Sequence, residues 1–381
     1  MKEKILITGG AGFIGSHLTS QLLSSGFQIR ILDPLTPQIH GNVPRNLDWL
    51  NGENIEFVRG SVCDRSTVEV ALEGVVHVVH LAAETGTGQS MYEIARYNEV
   101  NTLGTAVLLD VLANRRDLGV RRVVLASSRS IYGEGAYTCA ACGNALGRFF
   151  PGARPAAQLA AHRWDPICPR CCGTLHAVPT REDDPVRPAS IYAASKYAQE
   201  ELVRVACEAL DIGYAILRLQ NVYGEGQSLK NPYTGILSIF STRIRRGLDL
   251  PIFEDGMESR DFVHVDDVSR AMHACLVSDS PINLVINVGS GIGTSVKNVA
   301  SQLAASFGCA VSLNITSEYR IGDIRHNVAD VNRLCELMLG GARIGLAEGL
   351  DRFASWVETQ PLPEDQLERA NFELRKRNLM G

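Results

Sequence analysis

The stretch from Lys4 to Asp33 constrains this chain more than any other. Lys4-Ile5-Leu6-Ile7 is a short apolar run of buried-strand type, and Gly9-x-x-Gly12-x-x-Gly15 follows it directly. An amphipathic stretch then runs from Phe13 to Leu23 and closes at Gly26; Gln28 to Asp33 is a second strand, stopped by Pro34. A glycine triplet alone is weak evidence. Set between a strand and a helix, with an acidic residue ending the next strand, it has the context a dinucleotide site needs. Gly9 permits a tight turn, Gly12 lets the backbone approach a pyrophosphate, and Gly15 allows close helix–sheet packing. The helix start presents its unpaired N–H groups to the phosphates. Asp33 can accept both ribose hydroxyls of an adenosine half, and its charge repels a 2′-phosphate, so NAD is favoured over NADP. A phosphate-free turn with a capping Asp is the competing reading.

The alternation continues. Strand runs at 55–58, 75–81, 120–126 and 214–219 are separated by helical stretches at 66–72, 100–113 and 193–210. Strands and helices of this length in turn predict an α/β fold, a doubly wound parallel sheet of Rossmann type. After about residue 222 the pattern weakens, although 267–276 and 284–288 still read as a helix and a strand. The expected organisation is therefore a dinucleotide-binding domain over 1–221, to which segments near 262–290 return. A smaller discontinuous substrate lobe follows over 222–345, then a helical arm over 346–381 whose last residues, from Pro361, read as a surface arm. Across 381 residues, 37 Lys+Arg against 42 Asp+Glu leave a net charge of −5 with no block of like charge. That balance argues against nucleic acid and against a polybasic membrane surface. No apolar run reaches membrane-span length, and the N-terminus lacks the apolar core of an export signal. The expectation is a soluble cytoplasmic protein with no nucleic-acid or membrane partner.

Tyr192-Ala-Ala-Ser-Lys196 places a phenol and an ammonium one helical turn apart. A cation near a phenol favours the phenolate, which makes Tyr192 a candidate general base near neutral pH. Alone, such a pair reads equally as a helix surface. Joined to the glycine loop and to the hydroxyl-rich run Ser127-Ser128-Arg129-Ser130-Ile131-Tyr132-Gly133, it does not.

With these residues, the chain resembles the extended short-chain dehydrogenase/reductase family, among its nucleotide-sugar epimerases and dehydratases. The matching stretches run in family order: Thr8 to Gly15, His80-Leu81-Ala82-Ala83, Asn98-x-x-Asn101, Ser127-Ser128, Tyr192 with Lys196, Leu217 to Gly224, and Arg260 to Asp267. The resemblance implies that Ser128 bonds the reacting sugar oxygen, Tyr192 exchanges its proton, and Lys196 holds the nicotinamide ribose and tunes Tyr192. It adds Phe13, Ile14, Ser61, Val62, Leu81, Ala82, Ala83 and Asn101 to the cofactor site. Asn221 and Arg260 are implied at the diphosphate, and Arg320 and Asp323 at the nucleotide, although solvated surface arginines compete for Arg320. The loop from Ala83 to Ile94, with Thr85, Gly86 and Ser90, is implied at the hexose. One departure stands out: where the family commonly has Gly-Asp after its third strand, this chain has Gly60-Ser61-Val62, so the adenine contact through Ser61 is weaker or lost.

Members of such a family share a hydride transfer and differ in the fate of the ketone. Dehydratases carry an acid and a base at the strand end, uronate decarboxylases a Glu two residues before the tyrosine, and 3,5-epimerases a Cys there. Here Arg129 and Ser130 precede Ile131-Tyr132, so what remains is a 4-epimerase. Arg129 contacts an anionic sugar or faces the inserted segment described below. The sugar loops look most like a bacterial branch acting on dTDP-L-rhamnose; UDP-hexoses, UDP-uronates and GDP-sugars stay open. So do two other outcomes: an oxidoreductase or decarboxylase that releases a modified sugar, and a non-catalytic nucleotide-binding regulator. The resemblance also implies a homodimer.

Ten cysteines are many for such a chain, and five (Cys139, Cys142, Cys168, Cys171, Cys172) fall close together. They occupy an insert over 135–180 between Ser128 and Tyr192. Cys139-x-x-Cys142 and Cys168-x-x-Cys171 have the form of two zinc knuckles, which predicts a closed four-thiolate structural Zn2+ site. Cys172, His162 and His176 are alternative ligands; a redox dithiol or unliganded cysteines are the competing readings.

Overall fold

The computed structural model describes residues 2–41, 47–231, 235–338 and 340–381. Seven strands form its central sheet: β1 (Lys4–Thr8), β2 (Gln28–Asp33), β3 (Ile55–Arg59), β4 (His77–His80), β5 (Arg122–Ser128), β6 (Gly213–Leu219) and β7 (Leu284–Val288). Their order is β7-β6-β5-β4-β1-β2-β3, and every pairing is parallel. Parallel pairing requires a crossover between neighbours, and the crossovers carry helices α1 (Phe13–Ser24), α2 (Arg65–Leu72), α3 (Gly104–Asn114), α4 (Ile191–Leu210) and α5 (Val265–Val277).

Side chains alternate across a strand, so each strand feeds two cores. Ile5 and Ile7 of β1 pack with Leu18 and Leu22 of α1 and Met272 of α5. Leu6, between them, packs on the opposite face with Val68 of α2, Leu108 of α3 and Val203 of α4. The order of connection reverses between β1 and β4. At such a switch point the loops leaving the strand ends diverge and open a crevice, where ligands bind in sheets of this kind.

A second body of chain covers that crevice. Its core joins Phe240, Leu303 and Phe353, from the helices Ile236–Arg245, Val296–Ser306 and Leu346–Thr359. Ser259–His264 runs through it, paired with Asn221–Tyr223, Gly293–Ser295 and His326–Asn327. The cysteine insert is a small unit of its own, closed by the Tyr137–Thr138 and His176–Ala177 pairing around buried Cys139, Cys168 and Leu175.

The chain beyond Pro361 is no surface arm. Helix Leu367–Arg375 buries Leu367, Ala370, Asn371 and Leu374, and Met380 is buried beyond it. The high charge content suggested full solvation, but Leu367, Ala370 and Leu374 fall on one face that turns inward, leaving Phe372 exposed.

Candidate active site

One cavity of about 750 Å³ opens above the strand ends at the switch point. Gly9, Gly12, Phe13, Ile14 and Gly15 line it from the turn after β1, and Asp33 from the end of β2. The turn tolerates nothing larger than glycine at two places. Gly9 sits at φ +68°, and a Cβ there would lie 2.8 Å from the Ala82 nitrogen; a Cβ on Gly15 would lie 2.4 Å from the Gly10 carbonyl. Asp33 takes N–H bonds from Ala11 (3.2 Å) and Leu35 (2.8 Å), which aim its carboxylate at the cavity wall. Burial pushes its pKa up against those two bonds and His40. Ser61, Val62, Leu81, Ala82 and Ala83 also line the cavity. Ser61 Oγ accepts from the Cys63 N–H, whereas Asp64 caps α2 through the Ser66 N–H. These residues suit an adenine dinucleotide: a backbone cradle, a carboxylate at ribose position and apolar walls.

Two of the three candidate reactive groups, Ser128 and Tyr192, line the same cavity, and Lys196 lies behind them. Ser128 ends β5, and its Oγ accepts from the Ser130 N–H (3.2 Å) and hydroxyl (2.9 Å). Tyr192 sits in the first turn of α4, which Ser190 caps by accepting the Ala193 N–H. The Tyr192 N–H donates to Ser90 Oγ at 3.1 Å. Lys196, one turn on, is buried and donates from Nζ to the Ala126 carbonyl at 2.9 Å. Burial pulls its pKa down to about 7, with Glu200 opposing.

This geometry corrects the expectation that Lys196 lowers the Tyr192 pKa. Burial raises it, and the groups that pull it back are the Ser128 hydroxyl and the Arg129 guanidinium. Lys196 is held by the β5 carbonyl and is not among the groups that shift the phenol. Two further residues differ from their expected roles. Asn101 is fully buried and spends its amide on the Glu84 N–H and carbonyl and on Ser195, so it fixes the loop after β4 to α4 without lining the cavity. Ser90 is likewise buried, bonded to Thr87 and Tyr192, and supports the helix start instead of facing a sugar.

Thr85, Gly86, Ser130, Asn221, Arg260, Arg320 and Asp323 line the cavity, as does Arg129. Arg129 donates from Nε to Asn221 Oδ1 at 2.9 Å, while its Nη1 has no hydrogen-bond partner among the described residues. Burial, reinforced by the Arg260 guanidinium, pulls its pKa down to about 9. Cations drawn together in a cavity with a free N–H are a place for an anion. Arg320 lies over the Phe253 ring at 4.6 Å and donates to Asn371 Oδ1 at 3.0 Å.

Sequence reasoning missed the supports. Glu200, one turn beyond Lys196 on α4, accepts from Ser127 and is held by Arg218 Nη2 at 2.8 Å. Its spacing from Lys196 was the available signal. Arg154 of the insert was not singled out either. It reaches Glu134 (3.1 Å), Glu254 (2.8 Å) and the Asp323 carbonyl (3.0 Å), so the insert grips the loop that carries Asp323.

In the insert, one ligand atom each from Cys139, Cys142, Cys168 and Cys171 lies within 4.8 Å of the others. Cys139 and Cys171 Sγ are 3.4 Å apart, Cys142 and Cys168 Sγ 3.8 Å. A tetrahedron of Zn–S bonds near 2.3 Å has edges of about 3.8 Å, so the donor set fits the ion in number, chemistry and size. The N–H groups of Cys171 and Arg170 pull the Cys168 thiol down to about 6, whereas neighbouring thiols push Cys142 up to about 12. Cys172, His162 and His176 lie outside the quartet.

Relatives share this frame. The model of the NAD dependent epimerase/dehydratase family matches residues 5–144 and 171–289, breaking only inside the insert. The dTDP-L-rhamnose 4-epimerase of Burkholderia thailandensis is 38% identical over 359 residues, covering 93% of this chain and 95% of its own. The UDP-glucose 4-epimerase of Mycolicibacterium smegmatis is 30% identical, covering 91% of this chain and 96% of its own. The crystal structure of UDP-glucose 4-epimerase with UDP-glucose from Thermotoga maritima superposes with a TM-score of 0.74 at 27% identity, over 93% of this chain and 98% of that one. The Thermus thermophilus UDP-glucose 4-epimerase in complex with NAD gives 0.68 at 27% identity, over 94% and 100%. The glycine turn, the strand-end serine and the tyrosine–lysine helix all fall inside the matched stretches, and the chain belongs to the NAD dependent epimerase/dehydratase family.

Proposed function

We propose that this chain is an NAD-dependent nucleotide-sugar 4-epimerase and that its substrate is dTDP-L-rhamnose. The carrying observation is the make-up of the reactive centre: Ser128 and Tyr192 on one cavity, with Arg129 and Ser130 where a dehydratase or decarboxylase needs carboxylates. The nucleotide and sugar rest on the relative from Burkholderia thailandensis.

NAD, when bound, supplies a hydride acceptor and donor. The chain's own residues do the rest. Ser128 donates to the sugar O4, and Tyr192 takes its proton as the C4–H bond breaks, then returns it to the ketone oxygen after the sugar has turned over. To take that proton Tyr192 enters the step as the phenolate and leaves it as the phenol; the Ser128 hydroxyl and the Arg129 guanidinium favour the phenolate, against burial. Arg129, Asn221 and Arg260 hold the diphosphate, with Arg320 and Asp323 at the nucleotide. Asp33 holds the adenosine ribose, and Lys196, steadied by the Ala126 carbonyl, holds the nicotinamide ribose. The four cysteines hold one structural Zn2+, which closes the insert and leaves no open coordination position. We place the protein in the cytoplasm, in polysaccharide biosynthesis, as a homodimer through α3 and α4, where Leu103, just before α3, and Val205 of α4 are exposed.

The test is incubation with a panel of nucleotide sugars followed by NMR at the sugar ring. Substrate deuterated at C4 should keep its label, with no external cofactor consumed. Label lost to solvent would replace the ketose route by deprotonation chemistry.

A further inference from the structure

The last fifteen residues lie outside the region the family model matches, yet they form part of the cavity wall. Leu367, Leu374 and Leu379 line it. The segment is tied down on both sides. On the substrate-lobe side, Arg243 bonds Asp365, and the backbone of Tyr319 exchanges two bonds with Gly381 (2.8 and 3.0 Å). The Ile321 N–H donates to the Leu379 carbonyl at 2.9 Å, and Asn371 accepts from Arg320. On the dinucleotide side, Arg377 lies over the Tyr92 ring at 4.2 Å, and Leu374 sits against Gly88. Gly88 belongs to the loop whose Ser90 receives the Tyr192 N–H, and Leu374 lines the same cavity as Ser128 and Tyr192.

We propose that residues 367–381 are a strap that closes the substrate side of the cavity, and that Leu374 keeps the 4-ketose inside while it turns over; this rests on the 4-epimerase reading. An epimerase must release its sugar from one orientation and hold it in another without losing it. Directional hydrogen bonds would fix one face. Leucine side chains hold by apolar contact, which is non-directional and leaves the ring free to rotate. Asn371 acts differently: it positions Arg320, which lines the cavity and whose own Nε has no partner among the described residues, toward the nucleotide of the proposed substrate. If the ketose escapes after the first half-reaction, the C4 hydride stays on the cofactor and the proton passes from Tyr192 to solvent. The enzyme is then left with NADH and the free 4-keto nucleotide sugar as product.

The experiment compares full-length wild type, Leu374→Ala, Asn371→Ala and a chain ending at Pro361. Its readouts are bound NAD, affinity for dTDP by calorimetry, KM, and nicotinamide fluorescence during turnover. Leu374→Ala should raise KM about tenfold and accumulate fluorescent reduced cofactor that wild type does not. Asn371→Ala should weaken dTDP about tenfold without that accumulation, as loss of a neutral hydrogen-bond partner to a cation does. The shortened chain should do both. Leu374→Ala and Asn371→Ala with wild-type dTDP affinity, KM and fluorescence would overturn the strap, however the shortened chain behaves. A wild type that turns over no nucleotide sugar would instead overturn the epimerase reading, while the dTDP arm would still decide the role of Asn371.

Discussion

Arg154→Met tests whether the insert is built into the substrate site. Arg154 is buried between Glu134 and Glu254 and also bonds the Trp164 and Asp323 carbonyls, both at 3.0 Å. Methionine keeps the volume and removes the charge, leaving two buried carboxylates short of a partner. Breaking a buried pair from one side costs ~3–5 kcal/mol. Arg325 still donates to Glu134 from its N–H (2.7 Å) and to Glu254 from Nη1 (3.0 Å), which points to the lower end. An unfolding entropy of ~2.1 cal/mol/K per residue gives ~0.8 kcal/mol/K for 381 residues, so ~3 kcal/mol lowers Tm by about 4 °C. Burial already raises the Glu134 pKa, and Arg154 is the main group opposing it, so the variant raises it further. A carboxylate with a raised folded pKa costs stability when ionised. The penalty is absent below the unfolded pKa near 4.3 and grows as pH rises toward the folded value. The deficit measured by scanning calorimetry should therefore shrink between pH 8 and pH 5. Substrate KM should rise as the Asp323 loop loses its anchor, with bound NAD unchanged. A Tm within 1 °C of wild type, or a deficit independent of pH, would refute the reasoning.

Tyr192→Phe should lower kcat about a thousandfold, as removal of a positioned proton donor and acceptor does, while circular dichroism and bound NAD stay as in wild type. Replacing Asp33 with Ser should narrow the preference for NAD over NADP, measured by the two dissociation constants; an unchanged ratio would take Asp33 off the ribose. Elemental analysis should find one zinc per chain, and Cys139→Ser should lose it and raise substrate KM with NAD retained. An active, metal-free protein with a disulfide in the insert would remove the zinc site.

The sheet was legible because it rests on local patterns: apolar runs of strand length, glycine punctuation and helices of matching period. The glycine turn was legible for a stronger reason, since Gly9 and Gly15 stand where a Cβ meets backbone, and no other residue type satisfies that contact. The cysteine quartet was legible because two knuckles of the same spacing, confined to one insert, are what brings four thiols together. Contacts between distant segments leave no such trace. Arg154 reads as one more arginine until residues 134, 254 and 323 are brought around it. Asn101 and Ser90 were placed at ligands because they belong to ligand-contacting stretches, yet a buried amide or hydroxyl must first satisfy its own hydrogen bonds. Both find partners in the protein.

The Lys196 correction has the same origin. Spacing along a helix brings two side chains to one face, but the long lysine stem decides which acceptor its ammonium reaches. Here that acceptor is the Ala126 carbonyl. A buried ammonium stays charged only where such an oxygen is offered, and burial still draws its pKa to about 7. The phenol is then tuned from the other side, by Ser128 and Arg129, both on the chain that leaves β5. Arg129 thus acts on Tyr192 while it bonds Asn221 and shares the cavity with Arg260. An anion bound there would draw the guanidinium's field away from Tyr192 and raise the phenol pKa. Departure of that anion would lower it again, so Arg129, which follows the strand end, is the side chain through which ligand binding would reach Tyr192.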